Sequence, residues 1–142
     1  EAALSAYDKA LEIYPNDALA WNNRGVSLGN QNRYEEALNA YNKALEVDPS
    51  YALAWSNRGY ALNNLKRHEE ALNADNKALE IDPNDASAWN NRGNALGNQK
   101  RYEEALCAYD KTLEIDPNYA LAWNNRGGSL RNPTRYEEAM KG

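Results

Sequence analysis

Asparagine is the residue with the most chemistry to offer in this chain. Asn23, Asn57, Asn91 and Asn125 stand 34 residues apart. A carboxamide carries one acceptor oxygen and two N–H donors, so a row of them can pair with both the N–H and the C=O of an extended peptide. The residues just before them, Asn22, Ser56, Asn90 and Asn124, would widen such a polar strip. Groups for other chemistry are poorer. The pairs Glu35/Glu36, Glu69/Glu70, Glu103/Glu104 and Glu137/Glu138 fall at the starts of helical stretches, where carboxylates favour the helix dipole rather than act as general acids. His68 is the single histidine and Cys107 the single cysteine, so no histidine pair and no internal disulfide can form. Cys107 occupies the polar slot filled by Ser5, Asn39 and Asn73 elsewhere, which places it at the surface. No glycine-rich phosphate loop follows a strand. These residues imply no enzyme, no metal and no cofactor.

The elements that would position the asparagines follow the same period. Trp21, Trp55, Trp89 and Trp123 each open the string Trp-Asn/Ser-Asn-Arg-Gly. A fixed period in this range marks stacked units, each burying its apolar face only against its neighbours. The chain divides into a half unit (Glu1–Asp17), three complete units (Ala18–Tyr51, Ala52–Asp85, Ala86–Tyr119) and a truncated one (Ala120–Gly142). Trp21, Arg24, Gly25 and Leu28 share one helical face; Tyr34, Ala37, Leu38, Tyr41, Ala44 and Leu45 share another. Pro15, Pro49, Pro83 and Pro117 terminate helices. After them Asn16, Ser50, Asn84 or Asn118, with Asp17 or Asp85, offer oxygens to cap the next helix. Nine helical segments are expected.

The composition narrows the partners. A net charge of −5 and a pI near 4.9 give no positive surface for a phosphate backbone, so nucleic acid is not an expected partner. Nothing approaches 18 consecutive apolar residues, so membrane insertion is not expected either. The sequence opens inside a helical pattern without an initiator Met. It reads as a stretch of a longer array from which a targeting segment could be missing, with the cytoplasm as the expected compartment.

The pattern resembles the tetratricopeptide repeat along the whole chain: Trp21, Gly25, Ala37, Tyr41, Ala44 and Pro49 match its signature, and the other units repeat the match. The resemblance implies an all-α fold, a right-handed solenoid of stacked antiparallel helix pairs covering less than one turn. It further implies that first helices line a concave groove, with the slot two residues after each Trp pointing into it. On that geometry the function is protein–protein interaction. An extended peptide or partner segment would be gripped by Asn23, Asn57, Asn91 and Asn125, with Asn22, Asn90 and Asn124 beside them. The stripe is similar to the asparagine ladder in the tetratricopeptide superhelix of O-GlcNAc transferases. The plainer reading is that 21 asparagines make such rows common and that duplication preserves them. Val26, Tyr60, Asn94 and Gly128 face the same way, as do Leu19, Leu53, Ser87 and Leu121. Leu53 and Tyr60 could form an apolar pocket for one ligand side chain, or Leu53 could cover the adjacent turn. The slots that carry Lys and Arg in carboxylate-gripping members hold Leu, Ser and Asn here, and only Arg131 adds a charge at the groove edge.

Departures from the family pattern carry expectations of their own. Arg24, Arg58, Arg92 and Arg126 stand where Leu is usual, on the face turned toward the second helix. Pairing with Asp48, Asp82 and Asp116, or with Glu46, Glu80 and Glu114, would offset their burial. Asp75 replaces the tyrosine of the other units, His68 replaces Tyr34, Tyr102 and Tyr136, Thr112 replaces Ala, and Pro133 sits at the last turn. Uncapped ends would favour homo-oligomers by stacking. Other readings are therefore a self-associating assembly module, or the targeting arm of a larger enzyme.

Overall fold

The computed structural model describes residues 2–131, which form eight helices and no strand: α1 (Ala2–Ile13), α2 (Ala18–Asn30), α3 (Tyr34–Val47), α4 (Ala52–Asn64), α5 (His68–Ile81), α6 (Ala86–Asn98), α7 (Tyr102–Ile115) and α8 (Ala120–Leu130). The ninth expected segment, with Pro133, Tyr136 and the Glu137/Glu138 pair, lies outside the described residues. The array is an all-α solenoid of helical hairpins, with α2, α4, α6 and α8 as first helices and α1, α3, α5 and α7 as second helices.

Each hairpin turns on a left-handed residue. Asn32, Lys66 and Lys100 have φ of 61°, 63° and 63°. The N–H of Asn32 donates to Gly29 O and that of Arg33 to Leu28 O, both at 2.9 Å, which satisfies two orphan carbonyls at the end of α2. Lys66 with Arg67, and Lys100 with Arg101, repeat the arrangement. The arginines then reach forward to Glu36, Glu70 and Glu104, so one member of each glutamate pair is a helix-start ion-pair partner.

The turns between units close differently. Asp48, Asp82 and Asp116 accept from the backbone N–H of Ser50, Asn84 and Asn118 at 3.0–3.1 Å, folding the chain around each proline. Each Trp indole then donates to the carbonyl of the proline six residues earlier: Trp21, Trp55 and Trp89 at 2.8 Å and Trp123 at 2.9 Å. The Trp-to-Pro spacing is thus a hydrogen bond as well as a packing contact. Of the expected caps, Asp17 and Asp85 accept from Ala20 and Ala88 N–H, whereas Ser50, Asn84 and Asn118 take part through their backbone N–H. Tyr51 and Tyr119 precede α4 and α8 with no side-chain cap.

The core is a column of small and aliphatic residues. Leu28, Leu62 and Leu96 are wholly buried, as are Ala37, Ala71 and Ala105 on the facing helices. Tyr41 lies across Gly25 and Tyr109 across Gly93, so close that a Cβ on either glycine would strike the ring. Thr112 sits in a buried Ala slot, its hydroxyl donating within reach of Ala108 O and Ala86 O at 3.1 and 3.2 Å. In the second unit the glycine socket Gly59 remains, but Asp75 replaces the tyrosine. Both its carboxyl oxygens are buried without a hydrogen-bond partner. Burial pushes its pKa well above the ordinary carboxylate value; Arg92 opposes that shift and Asp85 adds to it.

The largest contacts join helices adjacent in the chain, and smaller ones join first helices of consecutive units, α2 with α4, α4 with α6 and α6 with α8. The second helices have no comparable contact with one another. A stack that closes on one side and opens on the other must bend, with its first helices inside the bend.

Asp75 has a folded pKa above its unfolded value of about 3.9, so its contribution to stability is full below that value and is lost as the pH rises through the folded one. In thermal melts the stability of Asp75→Asn relative to the parent should therefore improve as the pH rises above about 4. Asp75→Tyr, refilling the Gly59 socket, should gain at least about 2 kcal/mol at pH 7. A parent and Asp75→Asn variant with parallel pH profiles would contradict this. Lys66→Gly and Lys100→Gly should each raise the free energy of unfolding in urea by about 0.5–1 kcal/mol, because glycine bears no left-handed penalty; a loss at either position would show that the lysine stem contributes more than the turn geometry.

Candidate functional site

The expected asparagine stripe is ordered, but it is largely spent inside the molecule. Asn57 Nδ2 donates to Asn22 Oδ1 at 3.1 Å, Asn91 Nδ2 to Ser56 O at 3.3 Å, and Asn125 Nδ2 to Asn90 Oδ1 at 3.4 Å. Each bond runs from one first helix to the first helix before it. A neutral hydrogen bond of this kind contributes about 0.5–1.5 kcal/mol, and leaving its buried acceptor unpaired costs more. The stripe therefore acts as a staple between units. Among the described residues no first helix precedes α2, and Asn23 shows no such bond there. Asn22, Ser56 and Asn90 are buried rather than part of a solvent-facing strip, and Asn91 is buried too. Their slots lie on the line where first helices touch. Asn124 of that group is exposed, α8 being the last first helix among the described residues.

The open part of the concave face lies further along the first helices. A concavity of about 450 Å³ is lined by Tyr60, Asn63 and Asn64 of α4, Asn94, Gly97 and Asn98 of α6, Tyr102 and Tyr109 of α7, and Asn124, Asn125, Gly128 and Ser129 of α8. It brings together three of the expected contacts, Tyr60, Asn124 and Asn125, with Asn94 and Gly128, expected to face the same way. It adds Asn63, Asn64, Asn98 and two tyrosines from the second helix. The missed signal was present: Asn30, Asn64 and Asn98 recur every 34 residues as regularly as the stripe beginning at Asn23. Asn98 is seven residues beyond Asn91, two turns or about 10.5 Å up the same face, past the line of contact.

Leu53 is 49% exposed and is not among the residues lining this concavity. Tyr60 instead packs edge-on against Tyr34 of the preceding unit, ring centroids 6.4 Å apart. Leu19 lies at the turns between units beside Ile13, Tyr14 and Val47, away from the groove.

Inside the groove Tyr109 Oη donates to Asn94 Oδ1 at 2.7 Å, Asn64 Nδ2 to Tyr60 O at 2.9 Å, and Asn63 Nδ2 to Asn91 O at 3.1 Å. Burial raises the Tyr109 pKa, so its phenol keeps the donating proton. His68, in a tyrosine slot, places Nδ1 3.1 Å from Asn63 Oδ1 and 3.5 Å from Asn98 Nδ2. His68 Nδ1 donates to Asn63 Oδ1 in one tautomer or accepts from Asn98 Nδ2 in the other, and the bonds orient the amides, while Asn94 Nδ2, Asn64 Oδ1 and Asn98 Oδ1 have no partner among the described residues. No Asp, Glu, Lys or Arg is among the described lining residues.

The recurring arginines correct a second expectation. Their partners lie 16 residues earlier, on the second helix of the preceding unit. Arg24 Nε donates to Asp8 and Arg126 Nε to Asp110, both at 2.7 Å, while Arg58 and Arg92 donate to the amide oxygens of Asn42 and Asn76 at 2.8 and 3.0 Å. Asp48, Asp82 and Asp116 serve the turns instead, and Glu46, Glu80 and Glu114 face Lys43, Lys77 and Lys111. Arg58 and Arg92 also lie over Trp55 and Trp89, 5.9 and 5.8 Å from the ring centroids. The arginine row thus joins one unit to the next on the side away from the groove amides. Cys107 is exposed. Among the described residues no three His, Cys, Asp or Glu gather as metal ligands would, and no helix is long and apolar enough to cross a membrane.

Residues 22–86 and 86–119 match family models described as tetratricopeptide repeat, and residues 1–31 match one described as protein prenyltransferase alpha subunit repeat. No curated protein matches the chain. Among solved structures the chain is similar to the first TPR domain of human RPAP3, with 29% identity over 82% of this chain and 92% of that one and a TM-score of 0.79. It is also similar to the first TPR of Spaghetti (RPAP3) bound to the HSP90 peptide SRMEEVD, with 27% identity, 88% and 94% coverage and a TM-score of 0.77. MamA, at 23% identity over 97% of this chain and 81% of that one, shares the fold with a TM-score of 0.83. Period, indole-to-proline bonds, glycine sockets and these matches agree: the chain belongs to the tetratricopeptide repeat family.

Proposed function

We propose that this chain is a protein-interaction module that holds an extended, uncharged stretch of a partner in its concave groove. The observation that carries the reading is the lining itself: amides from three consecutive first helices and phenols from α4 and α7, with donors and acceptors still unspent among the described residues. An extended main chain offers N–H and C=O alternately, and a carboxamide answers both. A relative of the same fold holds a peptide, SRMEEVD, which supports peptide capture in this architecture. That peptide is acidic. The described lining residues set no lysine or arginine against a carboxylate and no carboxylate against a cation, and an unpaired charge moved among them is disfavoured. A neutral internal stretch is the better fit. Asn64, Asn94 and Asn98 make the contacts in this reading, with Tyr60 at the rim, while Asn57, Asn91 and Asn125 hold the units in register.

Twelve-residue peptides selected from a randomised display library against the 142-residue chain should be depleted in Asp, Glu, Lys and Arg. Their Kd should change less than about twofold between about 0.05 and 0.5 M salt. Asn94→Ala with Asn98→Ala should weaken them about tenfold or more, two hydrogen bonds being removed. Selected peptides that are strongly charged, or indifferent to Asn94 and Asn98, would refute the reading. Asn57→Ala with Asn91→Ala should act differently, lowering the unfolding free energy by about 1–3 kcal/mol in urea titration.

A further inference from the structure

A second surface lies apart from the groove, at the turns that join the first units. Ile13 and Tyr14 from the end of α1, Leu19 from the start of α2 and Val47 from the end of α3 surround an open concavity of about 840 Å³. These four are 68%, 69%, 57% and 38% exposed, so their apolar surface is presented to solvent rather than used in the core. Clustered aliphatic and aromatic surface of this kind marks a contact site more often than chance exposure does. Tyr14 stands where the later units have Asp48, Asp82 and Asp116, so this junction is more apolar than the others.

Its charge has one sign. Asp17 and Asp48 line the concavity, and no lysine or arginine does. Lys43, on the far side of Val47, already faces Glu46 at 3.7 Å. The two aspartates each use Oδ1 on a backbone N–H, Ala20 and Ser50 respectively, which fixes their position without neutralising them. Tyr51 between them feels both: its pKa is raised by burial first and then by the charges of Asp17 and Asp48.

We infer that this junction docks a partner segment that sets an aliphatic or aromatic side chain next to a lysine or arginine. The apolar walls would cover the first, and the two carboxylates would meet the second. A second copy of the chain meeting edge to edge would bring like charges together, which disfavours that occupant. The site is independent of the groove, with which it shares no residue.

Two amidated 14-residue probes of one apolar pattern, the first of Leu and Lys and the second of Leu and Glu, separate the outcomes by fluorescence anisotropy. The Leu/Lys peptide should bind saturably, and weaken severalfold as salt rises from about 0.05 to 0.5 M. The Leu/Glu peptide should not bind. Leu19→Ser with Val47→Ser, both at exposed positions, should weaken Leu/Lys binding about tenfold with the circular dichroism spectrum unchanged. Asn94→Ala with Asn98→Ala should leave it unaltered. The inference is overturned if binding survives the double serine variant or if both peptides bind alike. It is equally overturned if groove substitutions abolish binding, or if the chain alone forms dimers that the double serine variant abolishes.

Discussion

First helices touch first helices, and everything else in this molecule is arranged around that contact. Second helices fan apart while α2, α4, α6 and α8 stay together, so the bend of the array and the side on which a groove can exist are settled at one seam. The amides at the seam are satisfied across it, Asn57 to Asn22, Asn91 to Ser56 and Asn125 to Asn90. Polar groups at a seam permit only one alignment, because a slip of one residue would bury unpaired donors and acceptors. An apolar seam of the same area would tolerate several. The asparagines therefore set the register that keeps the groove positions Asn64, Asn94, Asn98 and Asn124 in one field.

What the sequence made legible was whatever depends on a single unit. The 34-residue period, the proline breaks, the Trp and Gly positions and the helix faces all follow from local spacing, and all appear as hydrogen bonds or close contacts. Misread were the relations between units. Arg58 looked toward Asp82 because both belong to one repeat, yet its partner is Asn42, which lies in the repeat before. The slot at Asn57 looked open because helix periodicity says which face a residue occupies and nothing of how near the next unit stands. Depth along the first helix decides between staple and groove, and depth depends on the bend.

The second unit shows how far a repeat can depart from its pattern. It keeps Gly59, whose lack of a Cβ leaves room for a ring, yet supplies Asp75 instead. A buried, unpartnered carboxyl opposes folding in the middle of the array, where a neighbour is present on each side. Repeat proteins spread such a defect over adjacent interfaces, since each unit is held by its own hairpin and by both seams. His68 departs in the same hairpin but at a milder cost, because Asn63 lies 3.1 Å from its ring nitrogen. The groove borders this unit through Tyr60, Asn63 and Asn64, so changes in the protonation of Asp75 act close to the groove without Asp75 lining it.

Charge is distributed with the same economy of position. The chain has 37 acidic and basic residues out of 142, counted as 21 and 16, yet none is among the described residues lining the groove. Carboxylates gather instead at the turns between units, where Asp48, Asp82 and Asp116 close the backbone, and the hairpin turns carry arginine with glutamate. A groove kept neutral inside an acidic protein discriminates by what it leaves unpaired rather than by attraction. A turn that is apolar and acidic discriminates by attraction. Under the groove and junction proposals the array carries two surfaces whose physical criteria barely overlap, so a single partner would satisfy both only with a neutral extended stretch joined to a basic, apolar one.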